Sequence, residues 1–444
     1  MTEPKRTELT IGAERALLVG VMLPDTHVDP HDPLGELRSL VSTAGARVAD
    51  EMIAKRQTVH PGLYVGTGKA EEIAARAQQN DIDVVVFDND LSPAQIRDLE
   101  KIVDRKVLDR SEVILDIFAA HARTAEATLQ VELAQLEYTY PRLRHMWSHL
   151  ERVAGGATTA AAAVGGIGTR GPGEKQIEID RRLVQRRVSE LKRRIAAIDR
   201  RKQRLVGSRK EHFCICLVGY TNAGKSSLMN LLTGANVRVA DQLFATLDTR
   251  TRRWNLGEGE AALLSDTVGF VRDLPHHLVA SFRATLEEVI GADLLLHVAD
   301  AAGPRVGEQI AAVQSVLAEL GCAAKDQLLL LNQADRINDP AVRTVLGGTF
   351  PEAIFVSAVT GENADRLVAA VSEKVRGRNV RVTIEADCAN GRLIHFLRRY
   401  ARTSAPTYDG RSVRLDATIG EKHLSALRAF GKDVRVRPAP DPTA

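Results

Sequence analysis

The feature that most constrains the fold of this chain is an octapeptide that begins with glycine, contains a second glycine and lies between a strand-like and a helix-like segment. Apolar residues 213–218 precede it, and the helix-like run 227–232 follows it and ends at Gly234. Glycines in this setting allow backbone N–H groups to turn inward around phosphate oxygens, and the helix start adds the positive end of its dipole. The predicted phosphate-binding loop consists of Gly219, Tyr220, Thr221, Asn222, Ala223, Gly224, Lys225 and Ser226, and Ser227, the first residue of the following run, is also predicted to bind the nucleotide.

Two loop side chains and a second motif supply the groups that a nucleotide triphosphate needs. Lys225 is expected to span the β- and γ-phosphates, and the Ser226 hydroxyl is expected to bind Mg²⁺. Asp266 ends another apolar strand, 261–265, where a carboxylate can hold the metal through water, and the Gly269 N–H can meet the γ-phosphate. This second motif consists of Asp266, Thr267, Val268 and Gly269.

The stretch between these motifs has little hydrophobic periodicity, which is typical of a switch loop. Its central residues are Phe244, Ala245, Thr246, Leu247 and Asp248. A threonine from such a loop must reach the metal, and we assign this role to Thr246, with Thr249 and Thr251 as alternatives. The predicted metal ligands are Ser226 and Thr246. The predicted catalytic groups are Lys225, Thr246 and Gly269.

Two further motifs predict which base is bound. One follows the strand 327–331 and consists of Asn332, Gln333, Ala334 and Asp335. The Asp335 carboxylate can pair with the N1–H and the exocyclic amine of guanine, which adenine does not offer in that arrangement. The other follows the strand 353–356 and consists of Ser357, Ala358 and Val359, where the Ala358 N–H can approach the guanine oxygen. The sequence therefore predicts a Mg²⁺-dependent GTPase that binds GTP and GDP.

Two positions depart from what is usual at such a site. Gln333 stands where lysine is common, and its shorter neutral side chain predicts weaker nucleotide affinity. Phe270 follows Gly269 where a glutamine could orient the attacking water, so we expect slow hydrolysis without a partner. A P-loop ATPase or kinase without base selectivity stays open as an alternative, supported by Gln333 alone.

Hydrophobic patterning divides the chain into four units. Residues 1–125 alternate strands (16–22, 83–87 and one around Val107) with helices, which predicts a small α/β domain with a largely parallel sheet. Ser92, Pro93 and Gln95 form a capping box with a first-turn proline, and Ser111 is expected to open another helix. The run Gly66 to Lys69 lacks P-loop spacing, so a turn and helix start are favoured over a second phosphate site.

Residues 126–210 carry two heptad seams, one from Leu129 to Leu150 and one from Val184 to Leu205. Each helix can bury its apolar stripe only against the other, which predicts an antiparallel helical hairpin with a Gly/Ala-rich tip at 153–175. Strand–helix alternation resumes over 211–378, the doubly wound pattern of a P-loop NTPase domain. Residues 379–444 form a small unit that alternates strand, helix, strand and helix before a Pro-rich tail. The predicted fold class is therefore α/β and multidomain.

Composition and charge restrict the location and the partners. The chain has a net charge of +3, yet residues 181–210 hold thirteen Lys or Arg against two acidic residues, which indicates a polyanionic partner. No apolar run approaches the roughly 18 residues that span a bilayer. The four cysteines are scattered, and Cys214 and Cys216 alternate along one strand, which favours free thiols and a cytoplasmic protein.

These residues resemble the HflX family of ribosome-associated GTPases over most of the chain. The most specific segment is Gly168 to Arg182 (GTRGPGEKQIEIDRR), and 88–95, 108–111 and 244–248 are similar to family motifs, although Thr249 stands where proline is frequent. The resemblance implies a cytoplasmic GTPase, monomeric when free, whose N-terminal domain and hairpin bind the large ribosomal subunit and its RNA. It also implies splitting of stalled ribosomes under stress. A ribosome assembly or storage factor that uses GTP only to set its affinity is the alternative.

Overall fold

The computed structural model describes fourteen stretches of the chain. They are residues 14–24, 28–29, 31–155, 172–206, 213–235, 243–244, 249–257, 260–272, 286–377, 379–420, 424, 427, 430–431 and 434–439. Within them the strands form three sheets. Two of these sheets are built mainly from parallel strands, and the third is antiparallel.

The first sheet has four parallel strands in the order β2-β1-β3-β4. The strands are β1 (Arg15–Met22), β2 (Arg47–Lys55), β3 (Val84–Phe87) and β4 (Lys106–Asp109). The helices are α1 (Gly35–Thr43), α2 (Thr67–Gln79), α3 (Pro93–Val103) and α4 (Arg110–His121). The predicted parallel α/β arrangement is confirmed, but the edge strand β2 was not foreseen because charged residues interrupt its apolar pattern.

The helix starts of this domain follow their capping chemistry. The capping box between Ser92 and Gln95 is present at α3, as predicted. The prediction that Ser111 opens the next helix is wrong: α4 begins one residue earlier, because the Asp109 carboxylate accepts the Glu112 N–H at 3.0 Å and caps it. Helix α2 starts directly after Gly66, as expected for a turn and helix start.

Two long helices follow, α5 (Ala125–Gly155) and α6 (Pro172–Val206). Ion pairs join them: Arg187 Nε donates to Glu132 Oε1 at 2.7 Å, and Lys192 Nζ lies 2.8 Å from Glu137 Oε1. Leu191 of the predicted apolar seam is fully buried. Most of the predicted tip, residues 156–171, lies outside the described residues.

The second sheet has the order β10-β9-β8-β5-β7-β6, parallel except for β6, which pairs antiparallel with β7. Its strands are β5 (Phe213–Gly219), β6 (Arg250–Gly257), β7 (Glu260–Asp266), β8 (Leu294–Asp300), β9 (Gln327–Asn332) and β10 (Ile354–Phe355). The helices are α7 (Lys225–Thr233), α8 (Glu287–Gly291), α9 (Val306–Glu319), α10 (Pro340–Thr349) and α11 (Ala364–Gly377). The doubly wound P-loop domain is confirmed, and β6 is an addition to it.

The third sheet is antiparallel and is formed by the C-terminal part of the chain. Its elements are β11 (Asn379–Asp387), α12 (Gly391–Tyr400), β12 (Ala401–Thr403), β13 (Thr407–Asp409), β14 (Ser412–Gly420) and β15 (Arg435–Pro438). The short strands β12, β13 and β15 were not predicted, and most of the segment after β14, where the last helix was predicted, lies outside the described residues. The core of this unit includes Ile384, Leu393, Leu397, Ile419 and Leu427.

The N-terminal and P-loop domains share one continuous hydrophobic cluster. Ile114 and Phe118 of α4 belong to the same buried group as Tyr220, Phe244 and Phe270 of the P-loop domain. All four cysteines are free, as predicted. Among the described helices, none combines the length and the apolar character that crossing a bilayer requires.

Candidate nucleotide site

The loop between β5 and α7 takes a shape that only glycine permits at two positions. A Cβ on Gly219 would lie 2.1 Å from the Val298 carbonyl oxygen of the neighbouring strand. Gly224 has φ +87°, and a Cβ there would lie 2.3 Å from Asn332 Nδ2. Helix α7 then begins at Lys225, so its first N–H groups face the concave side of the loop. The strand–loop–helix context required for phosphate binding is present.

Lys225 lies buried under this loop. Its Nζ donates to the carbonyl oxygens of Gly219 at 3.1 Å and Tyr220 at 2.7 Å. Burial lowers the pKa of Lys225 to about 8, and the charge of Asp266 opposes this effect. A dehydrated ammonium in such a place gains strongly from an anionic partner, and the phosphate groups of a nucleotide would provide one.

Ser226 and Asp266 lie where a hard cation would bind. The Ser226 hydroxyl donates to Asp266 Oδ2 at 2.6 Å, which joins the first turn of α7 to the end of β7. A hydroxyl and a carboxylate beside a phosphate loop fit Mg²⁺, which prefers oxygen ligands and keeps several waters. Thr267 donates its hydroxyl to the Leu217 carbonyl at 2.7 Å, so its side chain holds two strands together.

Gly269 packs directly on the phosphate loop. A Cβ at this position would lie 2.7 Å from Thr221 Cα, closer than two carbon atoms can approach. Backbone hydrogen bonds join the same segments, from Thr221 N–H to the Phe270 carbonyl (2.7 Å) and from Phe270 N–H to the Gly219 carbonyl (3.1 Å). The segment that starts at Gly269, which we call the second switch, is therefore paired with the phosphate loop, and Gly269 is predicted to detect the γ-phosphate of the bound nucleotide.

Asn332 links the phosphate loop to the predicted base loop. Its Nδ2 donates to the Ala223 carbonyl at 2.8 Å, and its Oδ1 accepts the Ala358 N–H at 3.1 Å. The side chain is almost fully buried. The Ala358 N–H, which we predicted as a contact to the guanine oxygen, is thus bonded to Asn332 in this structure.

The remaining base-site residues lie on the two loops that follow β9 and β10. Asp335 is exposed on a 3₁₀ turn, Ala334–Arg336, that follows β9. Gln333 adopts φ +62°, and its Nε2 donates to the Asn222 carbonyl at 3.3 Å, so it crosses the phosphate loop as a lysine stem would. The Ser357 hydroxyl accepts the Val359 N–H at 3.2 Å and fixes the second base loop. The guanine contact of Asp335 stays a prediction.

The first switch is described only at its start. Phe244 is buried, and its ring contacts Phe118 of α4 edge to face with centroids 4.6 Å apart. The predicted residues Ala245, Thr246, Leu247 and Asp248 lie outside the described residues, so the assignment of Thr246 to Mg²⁺ stays a prediction. The alternative Thr251 lies on β6, where its hydroxyl bonds to Ser265 Oγ at 2.9 Å.

Sequence reasoning missed the N-terminal side chains that reach this site. The Tyr220 hydroxyl, at the second position of the phosphate loop, donates to Glu36 Oε1 at 2.7 Å. Glu36 in turn binds Arg110, which also binds Asp88. Asp88 and Arg110 lie in the motifs at 88–95 and 108–111, but no local pattern pairs them with Glu36 or with the loop.

Comparison with known proteins identifies the family. Family models match residues 31–119 (GTP-binding GTPase N-terminal), 121–209 (GTP-binding GTPase Middle Region) and 214–333 (50S ribosome-binding GTPase). GTPase HflX of Lacrimispora saccharolytica is 40% identical over 93% of this chain and 95% of its own length. The chain belongs to the HflX family of GTPases. HflX of Escherichia coli is 43% identical over 86% of this chain and 87% of its own length, and HflX of Akkermansia muciniphila is 40% identical over 95% and 97%.

Membership of the HflX family makes this chain a GTPase that binds GTP and GDP with Mg²⁺, as the motifs predicted. Among solved structures, the complex of SsGBP with GDP is 24% identical, with a TM-score of 0.44, over 81% of this chain and 98% of that one. A GTP-binding protein of Sulfolobus solfataricus in complex with GDP is 23% identical with a TM-score of 0.42, over the same shares of the two chains.

Proposed function

We propose that this HflX-family chain is a GTP-controlled factor that binds the large ribosomal subunit and separates stalled ribosomes into subunits. The observation that carries the proposal is a stripe of arginines on α6, which we call the arginine stripe: Arg186, Arg193 and Arg200. All three side chains are exposed. Within the described residues none of them forms an ion pair.

The spacing of the arginine stripe places its charges on one side of the hairpin. Seven residues make about two helical turns, so successive members lie about 10 Å apart along the helix. Neighbouring cations on α6 form ion pairs with α5 instead. Arg187 pairs with Glu132 and Lys192 with Glu137, and these pairs hold the two helices together. Within the described part of α6, the stripe is therefore a row of cations that remains available to a partner.

A long, exposed row of guanidinium groups favours a polyanion with a regular phosphate backbone, which is what ribosomal RNA offers. The family model over residues 214–333 describes a 50S ribosome-binding GTPase, which supports the large subunit as the partner. We assign binding to units 1–125 and 126–210 and the nucleotide switch to unit 211–378. We expect the free protein to be a cytoplasmic monomer.

The nucleotide site supplies the switch in this proposal. Lys225 balances charge on the β- and γ-phosphates, while the hydroxyls of Ser226 and Thr246 complete the shell of a Mg²⁺ ion that neutralises the phosphates when bound. The Gly269 N–H detects the γ-phosphate. Because Phe270 offers no group to orient water, hydrolysis to GDP and phosphate depends on the ribosome or on another residue.

Charge reversal of the arginine stripe tests the binding surface. We expect the triple variant R186E/R193E/R200E to lose co-sedimentation with large subunits while its GDP affinity stays unchanged. The triple lysine variant at these positions should retain binding, because it keeps the charges. A control with the same change in net charge, R252E/R253E/R366E on exposed positions of the P-loop domain, should also retain it. Equal binding by the stripe variant and this control contradicts the proposal.

Subunit separation needs its own experiment. Light scattering of intact ribosomes should fall when saturating protein is added with a non-hydrolysable GTP analogue, and should stay constant with GDP. Absence of dissociation, with binding intact, would favour the assembly or storage factor instead.

A further inference from the structure

The N-terminal domain reaches the nucleotide site through a buried group that we call the switch clamp: Glu36, Asp88, Arg110, Tyr220 and Arg272. The Arg110 side chain is only 2% exposed and that of Asp88 5%. Burying so many charges is costly unless each one is paired, and losing one partner leaves the other charge stranded. The geometry of the clamp is therefore tightly specified.

Arg110 is the centre of the switch clamp. Its Nη1 donates to Asp88 Oδ1 at 2.7 Å and its Nη2 to Glu36 Oε1 at 2.6 Å. The same Nη2 donates to the Arg272 carbonyl at 3.3 Å. Burial alone would lower the pKa of Arg110, but the charges of Glu36 and Asp88 raise it above its ordinary value, so the guanidinium stays a cation.

Tyr220 connects this centre to the phosphate loop. Its hydroxyl donates to Glu36 Oε1 at 2.7 Å and accepts the Arg272 N–H at 2.7 Å. Burial and the charge of Glu36 raise the pKa of Tyr220, which keeps the hydroxyl protonated. Burial would raise the pKa of Glu36, but Arg110, the Tyr220 hydroxyl and Arg272 together hold it below its ordinary value.

Arg272 is thereby fixed at three points. Tyr220 holds its N–H, Arg110 holds its carbonyl, and its own Nη2 donates to Asp88 Oδ2 at 2.9 Å. Arg272 comes three residues after Gly269, the predicted γ-phosphate sensor. A movement of Gly269 toward a γ-phosphate must therefore break clamp contacts or move the N-terminal domain with it.

We propose that Glu36 and Arg110 are positioning residues for the second switch. Through their contacts the N-terminal domain alters the affinity for the γ-phosphate, and γ-phosphate binding alters the position of the N-terminal domain. Only the triphosphate carries a γ-phosphate toward which Gly269 must move, and the clamp opposes that movement because it holds Arg272 at three points. The intact clamp therefore disfavours the triphosphate relative to the diphosphate. The proposal rests on the predicted role of Gly269 and is independent of ribosome binding.

The test uses the full chain without ribosomes. Affinities for a fluorescent GDP and a fluorescent non-hydrolysable GTP analogue are measured for Glu36→Gln, Tyr220→Phe and the double variant. We expect the ratio of triphosphate to diphosphate affinity to rise about 5- to 20-fold in each single variant, a usual size for coupling between sites. The double variant should give less than the product of the two effects, because both act on one network.

Glu51→Gln is the matched control. It makes the same chemical change on the same domain, in a pair with Arg38 (2.6 Å) on the β2 side of the first sheet. General loosening of the fold would weaken both nucleotides alike, whereas the proposal requires a change in their ratio. If Glu36→Gln does not fold, Tyr220→Phe, which removes one oxygen atom, decides the test. A ratio lowered, or unchanged within about twofold of the parent, overturns the proposal, and ribosome binding can stand or fall separately.

Discussion

Replacing Asn332 by alanine should damage the nucleotide site more than any change at its exposed rim. The side chain is 1% exposed, and it satisfies the Ala223 carbonyl and the Ala358 N–H together. Each of these buried groups left without a partner costs about 1–3 kcal/mol, so the two together cost about 2–6 kcal/mol. The loss is divided between folding and binding, because the two loops must be reordered when the nucleotide binds.

We therefore expect the GDP affinity of Asn332→Ala to fall about 10- to 100-fold, equivalent to about 1.4–2.8 kcal/mol. Equilibrium titration with a fluorescent GDP measures this, and thermal unfolding followed by circular dichroism measures the remainder. Gln333→Ala is the control: it removes a longer bond to the Asn222 carbonyl (3.3 Å) and a bond from the exposed Arg336, both from a half-buried side chain, and should cost less than tenfold. Asn332→Ala with GDP affinity within threefold of the parent and an unchanged unfolding temperature would refute the bridging role.

Three other predictions follow from the site. Asp335→Asn should shift preference from guanine toward xanthine nucleotides in competition binding, and unchanged GDP affinity would show that this carboxylate does not contact the base. Gly269→Ala brings a Cβ to 2.7 Å from Thr221 Cα, so phosphate release should slow about a hundredfold; a normal rate contradicts this. Burial, with the charge of Lys225, lowers the pKa of His297 from 6.5 to about 4. Between pH 6.5 and 4 the His297 imidazole is protonated in the unfolded state but neutral in the folded state. The free energy of unfolding therefore falls by about 3 kcal/mol as the pH falls from 6.5 to 4. His297→Gln should reduce this dependence in denaturant titrations, and an unaltered slope would exclude His297 as its source.

The sequence predicted best what local chemistry determines. Strands β5, β8 and β9 are buried parallel strands, and such strands appear in sequence as continuous apolar runs. The phosphate loop was predicted because positions 219 and 224 have no room for a Cβ atom, so only glycine fits there. The capping box at Ser92 was predictable for a similar reason, since a hydroxyl and an amide at fixed spacing satisfy the free N–H groups of a helix start.

The sequence predicted poorly what depends on distant partners. Strands β2 and β6 lie at sheet edges and carry exposed charged residues such as Arg47, Arg252 and Arg253, so no apolar run marks them. The hydrogen bond between Tyr220 and Glu36 joins residues 184 positions apart, and the local sequence around each residue does not predict the contact. Asn332 was recognised as part of a base motif, but its bridging role requires two loops to be seen in space.

The measurement that tests the account most directly is co-sedimentation of the full chain with large ribosomal subunits over a range of salt concentrations. We expect tight association with a non-hydrolysable GTP analogue, weak association with GDP, and a steep loss of affinity as salt rises. In the neutral variant R186A/R193A/R200A the slope of log affinity against log salt should flatten by about 2–3 units, since each phosphate contact contributes about 0.7–0.9. Association that is indifferent to the nucleotide, or a salt slope that the variant leaves unchanged, would contradict the account.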